Sequence, residues 1–236
     1  MNFAQKLRIK ANTLADYYLF QSGGIPKINK DRIAKAVLKK FLPSRPVVVD
    51  CGAHDGADSV ELARILKAEV HAFEPVPGIF ERLKTKTARY PAIHCYEMAL
   101  SNIDGTQEFH VSEGGSDASS SLLEPQDHLL DHPDTYFKKV IPVRTMTLDH
   151  WATAHKISKV DLLWLDMQGF ELQMLQASGA ILDTVSLIHT EVSLKSTYKG
   201  VTLFKDYKSF LESKGFKVLI EAIPQGWDMG NVLFVR

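Results

Sequence analysis

The stretch from Arg45 to Gly56, Arg-Pro-Val-Val-Val-Asp-Cys-Gly-Ala-His-Asp-Gly, constrains the fold more than any other part of the chain. Val47 to Val49 are β-branched and continuously apolar, the pattern of a central parallel strand covered on both faces. The run ends in Asp50-x-Gly52-x-x-x-Gly56 and passes directly into Ser59 to Leu66, where Val60, Ala63 and either Leu62 or Leu66 share a face at helical spacing. A strand, a glycine turn and a helix start, in that order, let a small ligand approach backbone N–H groups with no Cβ in the way.

The spacing of the glycines narrows the ligand. A nicotinamide fingerprint needs G-x-G-x-x-G, and a phosphate-binding P-loop needs Gly-Lys followed by Ser or Thr; neither occurs here. An acidic strand end is ill matched to a pyrophosphate and well matched to a ligand with an ammonium and a sulfonium, such as S-adenosylmethionine. The next strand, Ala68 to Phe73, runs into Glu74-Pro75. A carboxylate about twenty residues beyond the first glycine is the general device for holding a ribose diol, although a solvated glutamate capping a loop has the same appearance. A nicotinamide-dependent oxidoreductase is the competing reading, against which the missing third glycine counts. A non-catalytic adenosyl-binding module is a third.

Several further stretches follow in order: Phe73-Glu74-Pro75, Met98 to Asn102, Arg144 to Asp149, and above all Leu162 to Leu175, which contains Asp166-Met167-Gln168-Gly169-Phe170-Glu171. His189 to Val192, Leu203-Phe204 and Gly215-Phe216 complete the series. From about Val47 onward the chain thereby resembles the FkbM family of S-adenosylmethionine-dependent methyltransferases. It departs from that family's pattern at His54, where Asn is usual, at Gln168, where Glu is common, and at Trp164-Leu165, where Lys-Ile is frequent. The resemblance implies cofactor contacts at Asp50, Gly52, Ala53, His54, Asp55 and Gly56, at Glu74 and Pro75, at Met98 and Ala99, and at Asp166, Met167 and Gln168. It also implies an O-methyltransferase whose acceptor is a hydroxyl of a sugar, glycan precursor or secondary metabolite.

Methyl transfer from a sulfonium asks mainly for alignment of the acceptor with sulfur, and secondarily for a base that takes the hydroxyl proton. Asp166 ends an apolar strand before a glycine-containing turn, where it could hold the cofactor ammonium, face the acceptor, or cap the helix from Glu171 to Leu175. Glu191 ends the strand after Leu187-Ile188-His189-Thr190; it is the preferred substrate-side carboxylate, with pairing to Lys195 as the alternative. His54 could reach the methionine carboxylate or the acceptor, or serve as a local hydrogen-bonding residue. Glu171 reads as a helix-side ligand or as a first-turn carboxylate favoured by the macrodipole. Asp166 and Glu191 offer oxygens to a divalent ion, but no His/Cys cluster or Asp-x-Asp-x-Asp spacing marks a dedicated site, so a metal-independent enzyme is expected. The Gly114 to Pro125 loop and Tyr198-Lys199-Gly200 could form the acceptor pocket.

The fold class expected is α/β: a Rossmann-like class I methyltransferase with a mostly parallel seven-stranded sheet, helices on both faces, an antiparallel edge and N-terminal helices. Strand candidates are Val47 to Asp50, Val70 to Glu74, Ile93 to Met98, Gln107 to Val111, Val140 to Thr145, Leu162 to Asp166, Ser186 to Glu191, Phe216 to Glu221 and Asn231 to Val235. Their carboxyl ends would gather Asp50, Glu74, Met98, Asp166 and Glu191 around one cleft. Residues 1–45 read as a helical cap, with an amphipathic pattern over Phe3 to Phe20 and a second helix over Asp31 to Phe41; residues 46–236 read as the methyltransferase domain. The cap could pack on the domain, gate substrate or join two copies in a homodimer.

The chain's 236 residues, 45% of them hydrophobic, suffice for one sizeable core. Twenty-eight basic and twenty-eight acidic residues balance to zero, which argues against a broad cationic surface for nucleic acid or anionic lipid. Cys51 and Cys95, the two cysteines, are expected as free thiols in a reducing cytoplasm. No apolar run reaches the length of a membrane span, so neither export nor a membrane anchor is expected.

Overall fold

The computed structural model describes residues 33–126 and 133–236; the helical pattern over Phe3 to Phe20 and the first residues of the helix expected from Asp31 lie outside them. In chain order the elements are Val47–Cys51 (β1), Ala57–Leu66 (α1), Glu69–Phe73 (β2), Pro77–Thr87 (α2), Ile93–Tyr96 (β3), Ala99–Leu100 (β4), Gly105–Gly114 (β5) and Thr135–Met146 (β6). They continue with Leu148–Ala154 (α3), Leu162–Leu165 (β7), Glu171–Gln176 (α4), Leu187–Ser193 (β8), Phe204–Ser213 (α5), Lys217–Ala222 (β9) and Met229–Val235 (β10). Lys35–Lys40 form a 3₁₀ turn instead of the longer helix expected there, with i to i+3 bonds from Val37 N to Ala34 O (2.9 Å) and Phe41 N to Leu38 O (3.0 Å). The tighter winding still buries Val37 and Leu38 on the sheet.

Seven strands form one sheet in the order β3-β2-β1-β7-β8-β10-β9. The chain winds outward from β1 to β3 on one side, then returns to β7 on the other, so the strand order reverses between β1 and β7. An open parallel sheet binds ligands beyond the carboxyl ends at that switch. β10 runs antiparallel to both β8 and β9, so the C-terminal hairpin supplies the antiparallel strand one place in from the edge.

Alternation along the central strands divides the core into two layers. Val48, Val70, Leu162, Trp164, Leu187 and Leu233 pack with α1, α2 and the 3₁₀ turn, while Val49, Phe73, Leu163, Leu165, Ile188 and Phe234 pack with α3, α4 and α5. Trp151 of α3 is fully buried against Phe73, Tyr96 and His71 at ring separations of 5.2, 5.8 and 4.9 Å.

Two of the nine strand candidates, Gln107 to Val111 and Val140 to Thr145, leave this sheet. They lie in β5 and β6, which pair with each other antiparallel and join β4 in a separate three-stranded sheet. The reason is visible in their polarity: β5 alternates exposed and buried residues, as an antiparallel sheet with one wet face does, whereas β1 and β7 are buried almost throughout. The candidate from Ile93 to Met98 stops early, at Tyr96, and the residues just beyond it, Ala99–Leu100, pair with β6.

Candidate functional site

Gly52 and Asp166 follow β1 and β7, the strands on either side of the switch, and their backbones touch. Asp166 N donates to Cys51 O at 2.9 Å, and a Cβ on Gly52, whose φ is +80°, would lie 1.9 Å from Asp166 O. Only glycine permits that approach. Gly52 N and Ala53 N donate to Phe73 O at 3.1 and 2.9 Å, which ties the glycine loop to the end of β2. Above this platform opens a cleft of about 960 Å³, counting its solvent-open part, walled by Gly52, Ala53 and His54, by Glu74 and Pro75, by Ala99 and Leu100, and by Asp166 and Met167.

Glu74 is the anchor of the cleft. Its Oε2 accepts His54 N at 3.1 Å and its Oε1 accepts Val76 N at 2.8 Å, so one carboxyl group fixes both the glycine loop and the entry to α2. Burial pushes its pKa up to about 7, against the pull of those two hydrogen bonds.

Asp50 does not line the cleft, which corrects the placement expected from the sequence. It shares its sheet face with Val48, is 1% exposed, and accepts a hydrogen bond from Ser59 Oγ of α1 at 2.5 Å. Burial, reinforced by the nearby Asp58 charge, raises its pKa to about 7. Gly56 is likewise interior, starting α1 with φ +82° and leaving a Cβ only 2.7 Å from Leu83. Met98 is buried with Leu100 and Met146, because β4 pairs with β6 and turns Ala99 and Leu100, not Met98, toward the cleft.

Asp166 is solvent-exposed at the cleft, and the turn after it is held by two side chains. Glu171, buried in the first turn of α4, accepts Met167 N at 2.8 Å and Gly169 N at 3.3 Å. Asp166 therefore does not cap that helix; Glu171 organises the turn instead, and burial raises its pKa to about 7. Gln168 stands in the left-handed region with φ +53°, and its Nε2 donates to Asp166 Oδ1 at 2.8 Å and to Glu191 Oε2 at 3.1 Å. Glu191 and Gln168 line a second pocket, joined to the main cleft by the hydrogen bond from Gln168 to Asp166, so the five residues expected at strand ends do not all line one cavity. Lys195 forms an ion pair with Asp228.

The roof is the segment after β5. Asp117, Ala118, Ser120 and Leu122 face the cleft, and Asp117 reaches His54 Nε2 at 3.0 Å and Arg82 of α2 at 2.5 Å. Tyr198 O–H donates to Ser119 O at 2.7 Å, Lys199 N donates to Glu124 O at 2.9 Å, and Pro125 bridges Tyr198. The two loops expected to form the acceptor pocket thus close on one another. Asp55 lines the cleft as expected and also forms an ion pair with Lys86 of α2. Asp117 and Arg82 were not singled out in the sequence; the Gly/Ser-rich stretch around residue 117 was the available signal.

The lining tests the expected cofactor directly. Phe73, Pro75, Ile79, Ala99, Leu100 and Phe109 offer an apolar slot, while Glu74, Asp117 and Asp166 carry carboxylates and His54 is the basic side chain among them. An adenosyl ligand with a sulfonium and an ammonium fits that chemistry, and a pyrophosphate does not. Among the described residues no His/Cys/Asp/Glu group has the arrangement of a metal site, both cysteines are free, and no helix is long and apolar enough to cross a membrane.

A family model described as the methyltransferase FkbM domain matches residues 50–218. The chain is 30% identical over 194 residues to the 2-O-methyltransferase NoeI of Sinorhizobium fredii, covering 80% of this chain and 78% of that protein. It is 27% identical over 228 residues to the AMB antimetabolite synthetase AmbE of Pseudomonas aeruginosa, a match to 83% of this chain but only 11% of that much longer protein. Among solved structures, the magnesium protoporphyrin IX methyltransferase of Synechocystis PCC 6803 with bound SAM aligns at a TM-score of 0.50 and 14% identity, over 100% of this chain and 85% of that one. At that identity the likeness concerns the fold.

Proposed function

Given that the chain belongs to the FkbM family of methyltransferases and takes S-adenosylmethionine as its methyl donor, we propose that its acceptor is a hydroxyl oxygen of a sugar, glycan precursor or secondary metabolite. The reading is supported by the relative NoeI, which carries the name of a 2-O-methyltransferase. The observation that carries it in this chain is the acidic pair where β7 ends beside β8, in which Asp166 and Glu191 are joined through one amide.

The sulfonium makes the methyl group electrophilic without help from the protein. The chain's own work is therefore to bind, align and deprotonate. Glu74 accepts from the ribose hydroxyls in this reading, and Ala53, Pro75 and Ile79 flank the base. Asp166 faces the donor's ammonium or the acceptor from the switch between β1 and β7. Glu191 takes the acceptor's hydroxyl proton as its oxygen is methylated, and returns that proton to solvent. His54, engaged with Asp117, holds the roof against the glycine loop. No metal has a step in this scheme.

Transfer of a tritiated methyl group to a panel of neutral mono- and oligosaccharides tests the reading. Label recovered in a base-stable ether on the sugar is the expected result. Label that appears only on amines or in base-labile esters would overturn it.

A further inference from the structure

Gln168 occupies a position that its backbone disfavours. A non-glycine residue at φ +53° costs on the order of 1 kcal/mol, and the neighbouring Gly169 shows that glycine is at home in this turn. What the side chain does there offsets that strain. Its two amide hydrogens go to two different carboxylates, Asp166 at 2.8 Å just past the end of β7 and Glu191 at 3.1 Å within β8, one residue beyond the last pair that β8 makes with β7. Its Oε1 lies 3.3 Å from the Tyr198 hydroxyl. The reverse amide orientation would aim Oε1 at both carboxylates, so the electrostatics fix which end faces which partner.

We propose that Gln168 is a positioning residue that holds Asp166 and Glu191 at a set separation and keeps Glu191 ionised, ready to accept the proton of the methyl acceptor. The proposal rests on the reading of Glu191 as that proton acceptor. It also moves Gln168 from the cofactor contacts to the acceptor end of the site. The physical basis is simple: a hydrogen bond to the ionised form favours ionisation, whereas a second carboxylate nearby opposes it. The amide hydrogens offset the repulsion between Asp166 and Glu191, which favours a proton on one of them. Among the described residues, titratable groups near the pair include Glu171 on α4, Tyr198 after β8, Asp50 on β1, Tyr207 on α5 and the Lys195–Asp228 pair past β8. Tyr198 is itself buried among Glu191, Asp166 and Glu171, whose charges together with burial keep its hydroxyl protonated as a donor.

The titration needs no identified acceptor. Carboxyl carbons of the full chain are labelled with ¹³C and titrated by NMR, with Glu191→Gln and Asp166→Asn assigning the two signals. Gln168→Met removes both donors at similar volume; Gln168→Gly removes them while relieving the backbone, so at least one of the pair stays folded. Both are expected to raise the Glu191 midpoint by about one pH unit. Both should leave the affinity for S-adenosylhomocysteine within about twofold of the parent. An unmoved Glu191 midpoint would overturn the proposal, as would a loss of S-adenosylhomocysteine affinity matching that of Glu74→Ala, since Gln168 would then be a cofactor contact. Undiminished methyl transfer by Glu191→Gln would instead overturn the reading underneath, and the coupling seen by NMR would stand apart from it.

Discussion

Glu74 sits between two backbone donors, His54 N and Val76 N, with burial lifting its pKa to about 7. A protonated Glu74 has one oxygen committed as a donor; the ionised form accepts on both and attracts a cation. Affinity for S-adenosylmethionine is therefore expected to rise as pH passes from about 6 to about 8, with proton release on binding that calorimetry in buffers of different ionisation enthalpy would read. Glu74→Ala is expected to weaken S-adenosylhomocysteine binding by about 100-fold, the worth of charge-assisted hydrogen bonds to a diol. Asp50→Asn, by contrast, should change that affinity by less than about threefold, because its carboxyl faces Ser59 and not the cleft. Equal losses in the two variants would sink this division. Its basis was available in the sequence: Asp50 shares the parity of Val48, and a strand residue two places from a core valine points into the same layer. Reading the strand end as a ligand contact overlooked that alternation.

At the scale of elements, the turn from Asp166 to Gly169 is tied by Glu171 and Gln168, and the roof from Gly115 to Gln126 by Asp117 and Tyr198. Glu171 serves two N–H groups of the turn from the first turn of its own helix, where the macrodipole also favours a carboxylate. Tyr198→Phe removes the bond to Ser119 O and is expected to cost the roof about 1 kcal/mol of local stability. Hydrogen exchange in residues 115–126 should quicken about fivefold while the thermal midpoint of the whole domain shifts little. Exchange that quickens evenly across the sheet would mean that Tyr198 supports the core instead. The glycine and serine content of the roof announced a loop, and the polar alternation of Gln107 to Val111 announced a half-exposed strand. Neither announced that β5 would leave the main sheet for β6, because the partner of a strand is chosen by packing far along the chain.

Across the whole molecule, buried carboxyls and buried histidines pull stability in opposite directions with pH. Asp50 and Glu171 titrate near 7 in the fold against 3.8 and 4.5 ordinarily, so the folded state binds more protons; their contribution is full at low pH and is lost as pH rises through about 7. His71 and His189, buried and lowered to about 4 and about 3, contribute stability that is present above 6.5 and lost as pH falls. Asp50→Asn removes one side of this balance while keeping an acceptor for Ser59. Its urea stability relative to the parent is expected to grow between pH 5 and pH 8 by on the order of 2–4 kcal/mol; a constant difference at both pH values would show that Asp50 titrates normally. Chain sequence alone determined the strand, glycine turn and helix at Val47 to Leu66 and the acid after β2, since each depends on residues close together or on periodicities of two and 3.6, and its series of stretches from Val47 to Phe216 carried the resemblance to the family and to its methyl donor. Tertiary structure decided which carboxyls meet in the cleft, which are buried as acids, and that Gln168 joins Asp166 to Glu191, because those outcomes depend on which strands lie side by side and how far the field of one charge reaches another through the folded interior.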